Sequence, residues 1–334
     1  MTDKNPLSNL LREMMLAVAM IAFLVLGLWA HTGTMPPLVV VESSSMVHEE
    51  NGEVGSIDAG DLILVMDTPY QNIITFAEAS DKNNKYHGYE THGMEGDVII
   101  YQKNGDDGTP IIHRAILRVE PSQTTSPNRL APSDGNNSQH CPDGGTWDNS
   151  VEDEDGELGT CVLTWAVPGT NITDSETITI RFDGNNAGYY DCNRFAHANV
   201  EPYLVVWNWQ PKHSGIVTLG DNNQCSVDQG GLVVNGSSGV HSASGVAGPV
   251  KEGWLVGVAG GEIPWLGTVK LMLSGSGSPG TQYVPGSSFL FLSLVIGGII
   301  FAPIGLEIVL KKIMQKSPEM NQAKYEVDYF SEEE

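Results

Sequence analysis

Two uncharged segments bracket this chain and decide most of what it can fold into. Met14 to Ala30 runs seventeen residues without a charge, and Ser288 to Leu306 runs nineteen more before Glu307 and the pair Lys311 and Lys312. A helix needs roughly 17 to 25 apolar residues to cross a hydrocarbon core, so both segments read as transmembrane helices. Whatever chemistry the chain carries then belongs to residues 31 to 287, held at a membrane. The flank Trp29-Ala30-His31-Thr32-Gly33 lacks the small-x-small pattern of a cleavage site, which makes the first span an uncleaved anchor and not a signal peptide. Lys4 and Arg12 precede the first span while Lys311, Lys312 and Lys316 follow the second, so both ends are expected in the cytoplasm and the middle outside it.

That exterior segment holds all four cysteines, Cys141, Cys161, Cys192 and Cys225. An even count in an oxidising compartment permits two disulfides in three connectivities. Pairing Cys141 with Cys161 is the more local closure and would leave Cys192 with Cys225, but spacing alone does not choose. Glycosylation sequons at Asn136, Asn171 and Asn235 fall in the same segment and agree with the topology. No Cys-x-x-Cys or Cys/His cluster argues for a metal, and no cofactor motif is present. The acidic run Glu152-Asp153-Glu154-Asp155 fails as a calcium loop, because Gly156 would put Val151 at the first ligand position. It reads as a solvated loop. A net charge of −24 excludes nucleic acid as an obvious partner.

Between the spans, short apolar runs alternate with Gly, Asp and Asn clusters, the pattern of a mainly β fold. Strands are expected over 61–66, 97–101, 110–119, 177–182, 203–207, 215–219, 231–234, 254–258 and 268–273. From Glu120 the composition shifts to Ser, Thr, Pro, Asn and Asp, so residues 120–212 read as an insertion between two halves of a main domain, 31–119 and 213–273. With near ends, such an insertion can fold as a satellite lobe that the main domain can do without. A Gly/Ser-rich linker, 274–287, leads into the second span, 288–310. The remaining ends, 1–13 and 311–334, read as cytoplasmic tails.

One stretch inside the first half points to chemistry. Val39-Val40-Val41 reads as a buried strand that stops at Glu42-Ser43-Ser44-Ser45-Met46. A serine hydroxyl there is a candidate nucleophile only if a base lies within hydrogen-bond reach. His113, in the apolar run Ile111-Ile112-His113-Arg114-Ala115-Ile116, can be that base, and Asp221 in Gly220-Asp221-Asn222-Asn223 can orient it. Taken singly, a hydrogen-bonded core histidine and an aspartate in a turn explain both residues as well. His48, three residues past Ser45, is a rival base in a looser context.

Read together, Ser43-Ser44-Ser45-Met46, Gly60-Asp61-Leu62, Gly96-Asp97-Val98-Ile99, Ile112-His113-Arg114, Gly220-Asp221-Asn222-Asn223 and Ile263-Pro264-Trp265-Leu266-Gly267 resemble the type I signal peptidases. The resemblance is to the archaeal and endoplasmic-reticulum branch, whose members have histidine where bacterial ones have lysine. It covers about residues 38–119 and 213–271 and leaves the insertion unmatched.

The resemblance implies a signal-peptidase-type β-fold catalytic domain flanked by two transmembrane α-helices. Ser45 would be the nucleophile and His113 the general base, with Asp221 and a second aspartate, for which Asp228 is the one available, completing the set. The Ser45 backbone N–H and the Ser43 hydroxyl would hold the oxyanion. It also implies a serine endopeptidase acting on signal-peptide-bearing preproteins after small residues, with the lipid bilayer and the Sec translocon as surroundings. The sequence departs from the family at Val47-His48-Glu49 and in about ten extra residues before Asp58, and Asp221 and Asp228 stand seven apart, one more than the family pattern. A catalytically silent membrane subunit and a processing protease of narrower specificity are the alternatives. Retention of serine, histidine and aspartate together argues against the silent subunit.

Overall fold

The computed structural model describes residues 6–48, 52, 54–125, 128–129, 141, 145–153, 156–185, 187–192, 203–230, 247–274 and 280–316. The chain is mainly β, with two long apolar helices. Its helices are α1 (Pro6–Thr32), α2 (Phe76–Ser80), α3 (Thr268–Leu273) and α4 (Gly286–Lys316). The strands are β1 (Gly33–Val40), β2 (Leu62–Met66), β3 (Glu90–Thr91), β4 (Met94–Glu95), β5 (Val98–Tyr101), β6 (Ile111–Thr124) and β7 (Asn128–Arg129). They continue with β8 (Thr146–Asp153), β9 (Gly156–Ala166), β10 (Ile178–Arg181), β11 (Val205–Trp209), β12 (Gly215–Leu219) and β13 (Leu255–Ile263).

Nine strands form one curled sheet in the order β1-β2-β13-β5-β6-β9-β7, with β12 on β6 and β8 on β9. All of its pairings are antiparallel. The central strands are continuous apolar text because both faces are covered: Val98, Ile99, Ile100 and Tyr101 of β5 are all fully buried. One face packs Val41, Met46, Ile57, Ile63, Val65, Val98 and Ile100 together, and another cluster gathers Ile73, Ile99, Tyr101, Ala115, Ile216 and Val250. The Gly-Asp pairs that punctuate the sequence are turn anchors. Asp61 accepts from the Trp265 and Asp58 amides, and Asp97 from the Ile74 amide and the Tyr89 hydroxyl. The preceding Gly60 and Gly96 have φ of 99° and 83°, where a side chain would be strained.

Helix α1 is apolar and exposed over 10–30 apart from half-buried Leu28, and it is long enough to cross a membrane. Helix α4 satisfies the same criterion and forms a compact unit apart from residues 1–285. Both extend past the uncharged runs from which they were expected.

Two expectations need correction. Residues 268–273 are helix α3 and not a strand. Thr268 and Leu271, three apart, are its buried positions, so the apolar text Thr-Val-Lys-Leu-Met-Leu follows a helical and not an alternating period. The segment 120–212 is not a satellite lobe. Strand β6 runs unbroken through position 120, and β9 pairs with its far end. Val162, Trp165, Val167, Ile178 and Phe182 from this segment share one core with Ile116, Leu117, Val119, Val217 and Leu219. Its ends do lie together, since Gly215 pairs with Val119. The run 231–234 and the sequons Asn136 and Asn235 lie outside the described residues, and Asn171 is exposed.

Candidate functional site

Strand β1 ends at Val40, and the chain then turns through Ser43, Ser44 and Ser45. Met46 anchors this turn. Its side chain is 2% exposed and joins the core beside Val41 and Ile57, a burial that stabilises the turn by about 2 kcal/mol. The turn after β12 clamps it from the other side. The Asn222 amide donates to Ser45 O at 2.8 Å, and Asn222 Nδ2 donates to Ser44 O at 2.9 Å. The serine is therefore held on a rigid support although it stands in a loop.

Three sequence-separated side chains meet there. His113 Nε2 lies 3.0 Å from Ser45 Oγ, and its Nδ1 lies 2.6 Å from Asp228 Oδ2. The same carboxylate oxygen accepts from the Tyr101 and Thr218 hydroxyls at 2.8 and 2.7 Å. Burial works to raise the Asp228 pKa, but His113 and these donors outweigh it and hold the carboxyl below the usual range. Ser43 Oγ, the side chain expected as an oxyanion donor, stands 3.2 Å from Ser45 Oγ.

Asp221 is brought to a different partner. It takes a forked contact from Arg114, with Nη2 at 2.7 Å from Oδ2 and Nε at 2.9 Å from Oδ1. His48 Nε2 is 2.7 Å from Asp221 Oδ2, and the Tyr190 hydroxyl donates to Oδ1 at 3.2 Å. The remaining Arg114 donors are spent on the carbonyls of Thr91, His92, Met94, Glu95 and Gly96. Arg114 and Asp221 side chains are fully buried, so each neutralises a charge that could not stand alone. Burial pushes the Asp221 carboxyl up, yet Arg114 and His48 overcome it and hold the pKa far below normal. His48, the rival base, thus faces this ion pair.

The two aspartates separate because His113 and Arg114 are neighbours on a strand and point to opposite faces. On one face Ile99 pairs with His113 and Tyr101 with Ile111, which puts Tyr101 beside the imidazole. On the other, Val98 and Leu219 flank Arg114, and the chain leaves β12 directly into the turn with Asp221.

Gly220 is a participant that the sequence named only as part of a turn. A Cβ there would sit 2.7 Å from His113 Nε2 and 2.8 Å from Ser45 O. Only glycine lets serine and histidine meet at hydrogen-bond distance. Tyr101 and Thr218 were also legible only as strand residues.

Of the three connectivities that the sequence leaves open, the structure has Cys141 with Cys161 and Cys192 with Cys225. The second bridge ties the 120–212 segment to the turn that carries Asp221. Chemically, a hydroxyl, an imidazole and a carboxylate in this series can generate an alkoxide-like nucleophile and stabilise the imidazolium that results. No family model, no characterised protein and no solved structure matches the chain.

Proposed function

We propose that this chain is a membrane-anchored serine endopeptidase of the signal peptidase type, with Ser45 as nucleophile, His113 as general base and Asp228 as its orienting carboxylate. The observation that carries it is the unbroken series from Ser45 Oγ to His113 at 3.0 Å and from His113 to Asp228 at 2.6 Å. In the forward step Ser45 Oγ bonds to the scissile carbonyl carbon while its proton passes to His113 Nε2. The imidazolium then returns that proton to the leaving amine, giving an acyl-enzyme ester. Water, deprotonated by the same nitrogen, attacks the ester and regenerates Ser45. Ser43 Oγ, 3.2 Å from Ser45 Oγ, donates to the carbonyl oxygen as it gains charge.

The substrate is an extended segment of a secreted precursor with small residues before the cut. Among the described residues β1 is the terminal strand of the sheet, and it runs straight into the Ser43–Ser45 turn, so a precursor strand can pair along its outer edge and deliver a carbonyl to Ser45. Two helices long enough to span a bilayer hold enzyme and precursor in one membrane, which raises their effective concentration. Both chain ends are assigned to the cytoplasm and residues 31–287 to the exterior.

The test is cleavage of a model preprotein by membranes containing the unsubstituted chain, Ser45→Ala or His113→Ala. Processing should appear with the first and be lost with both variants. Near wild-type cleavage by either variant, or none by the unsubstituted chain, defeats the proposal.

A further inference from the structure

Asp228 is held by more than the histidine: among the described residues, three side-chain donors converge on one oxygen of its carboxylate. Oδ2 accepts from His113 Nδ1 at 2.6 Å, from Thr218 Oγ1 at 2.7 Å and from the Tyr101 hydroxyl at 2.8 Å. Thr218 and Tyr101 are themselves 3.0 Å apart. The direction of the Thr218 hydroxyl is set from behind. Gln229 Nε2 donates to Thr218 Oγ1 at 3.1 Å while Gln229 Oε1 accepts the Thr218 amide at 2.8 Å. With a lone pair of Oγ1 engaged by Gln229, its proton is free to point at Asp228. Tyr101 is fully buried and comes from β5, and Thr218 comes from β12, so the strands on both sides of His113 contribute one hydroxyl each.

Resting on the proposed serine-peptidase activity, we infer that Tyr101 and Thr218 are positioning residues for the reaction, two neutral donors that fix the Asp228 carboxylate and restrain its pull on the imidazole proton. An unassisted buried carboxylate beside an imidazolium stabilises that cation strongly, which makes the ring a base only at higher pH. Two hydroxyls sharing the oxygen disperse its charge without adding a positive one, so the carboxylate orients the ring yet leaves it free to cycle its proton. Burial pushes the Tyr101 phenol far above its ordinary pKa, so it stays a donor at every working pH.

Tyr101→Phe keeps the ring that fills the core and removes only the donor. Thr218→Val removes the second, and Thr218→Ser restores it. The measurement is the pH profile of kcat/KM for preprotein cleavage by the full-length chain in membranes, with the unsubstituted chain and Ser45→Ala run beside it. The expected result is that the acidic limb moves up by about half to one pH unit in Tyr101→Phe and in Thr218→Val, further in the double variant, and returns toward its original place in Thr218→Ser. Thr218→Val is the second route should Tyr101→Phe fail to accumulate. A limb that stays in place while activity falls, or Thr218→Ser behaving like Thr218→Val, overturns the inference and leaves the proposed function standing. Absence of Ser45-dependent cleavage by the unsubstituted chain overturns both.

Discussion

His113 and Arg114, adjacent on β6, each hold one of two aspartates seven residues apart in sequence, Asp228 on one face of the sheet and Asp221 on the other. The strand's alternation converts a pair of similar residues into a pair of different tasks. Asp228 touches the proposed base, whereas Asp221 neutralises a buried guanidinium and fixes the turn that clamps Ser45.

Substitution should separate them. Asp228→Asn keeps size and removes the charge, so cleavage should fall by roughly three to four orders of magnitude while thermal unfolding changes little. Asp221→Asn strands Arg114 in the core, and breaking such a buried pair costs about 3–5 kcal/mol. It should lower the melting temperature first and activity as a consequence. Because the folded Asp221 pKa lies below its unfolded value of 3.8, its stabilisation is present above that pH and is lost as pH falls through the depressed value. Equal stability of the two asparagine variants would contradict the division.

Gly220→Ala tests the contact between serine and histidine without touching either. An added Cβ at 2.7 Å from His113 Nε2 and 2.8 Å from Ser45 O must push the turn away. Cleavage should drop by at least a hundredfold, as a displacement of about 1 Å does elsewhere. Kinetics and melting should be measured together, because a collapse of the melting temperature in step with the kinetic loss would speak against a local displacement.

The candidate residues could be named from the sequence, but their wiring could not. Singly, Ser45 reads as a loop residue and His113 as a hydrogen-bonded core histidine, and what singles them out is the resemblance of the Ser-Met and His-Arg blocks, taken with the others, to a peptidase family. Choosing between Asp221 and Asp228 needs the knowledge that β12 ends at Leu219, paired with Arg114, which spacing does not carry. His48 looks like a rival base because it is near Ser45 in sequence, yet the chain turns it to the Arg114–Asp221 pair. Strands of continuous apolar residues were legible by composition. The short helix at 268–273 was not, because six residues offer less than two turns of periodicity and its β-branched start suits a strand equally well.

Glu262 should make stability fall as pH rises from 4.5 to about 7. Burial, with Asp61 adding like charge, raises its pKa from 4.5 to about 7 despite the Gly55 amide. A raised carboxyl favours the folded state while protonated, and that advantage is lost between pH 4.5 and about 7 as the buried charge forms. The group is half exposed, so solvent screens part of the cost. Glu262→Gln should therefore raise denaturant resistance at pH 8 and leave it almost unchanged at pH 5. Identical effects at the two pH values would count against it.

The Cys192–Cys225 bridge closes a span of 33 residues, for which the chain-entropy estimate is about 3–4 kcal/mol. Its second cysteine lies four residues after Asp221, in a turn where Gln224 and Cys225 have φ of 52° and 57°. Cys192→Ser with Cys225→Ser should destabilise the chain and lower cleavage, because the turn that holds Asp221 and Asn222 loses its tie. Non-reducing peptide mapping and thermal unfolding check both statements.

The segment 120–212 should prove indispensable, contrary to what its composition suggests. Replacing residues 122–210 by a short Gly/Ser link, with Cys225→Ser to avoid an unpaired thiol, joins ends that already lie together, so the connection itself is not the difficulty. The difficulty is the face it uncovers. Ile116, Leu117, Val119, Val217 and Leu219 are buried against Trp165, Val162, Val167, Ile178 and Phe182. Each burial is worth about 1.5–3 kcal/mol, and five together rival the ~5–15 kcal/mol that holds a typical domain folded. Tyr190, whose hydroxyl reaches Asp221 and whose ring packs edge-on to Phe76 with centroids 5.0 Å apart, would go as well. The shortened chain should be protease-sensitive and inactive. Trp165→Ala is the milder version and should cost about 3–5 kcal/mol while leaving Ser45, His113 and Asp228 in place. A shortened chain that resists protease and still cuts a preprotein would mean that β6 and β12 are covered by something other than this segment.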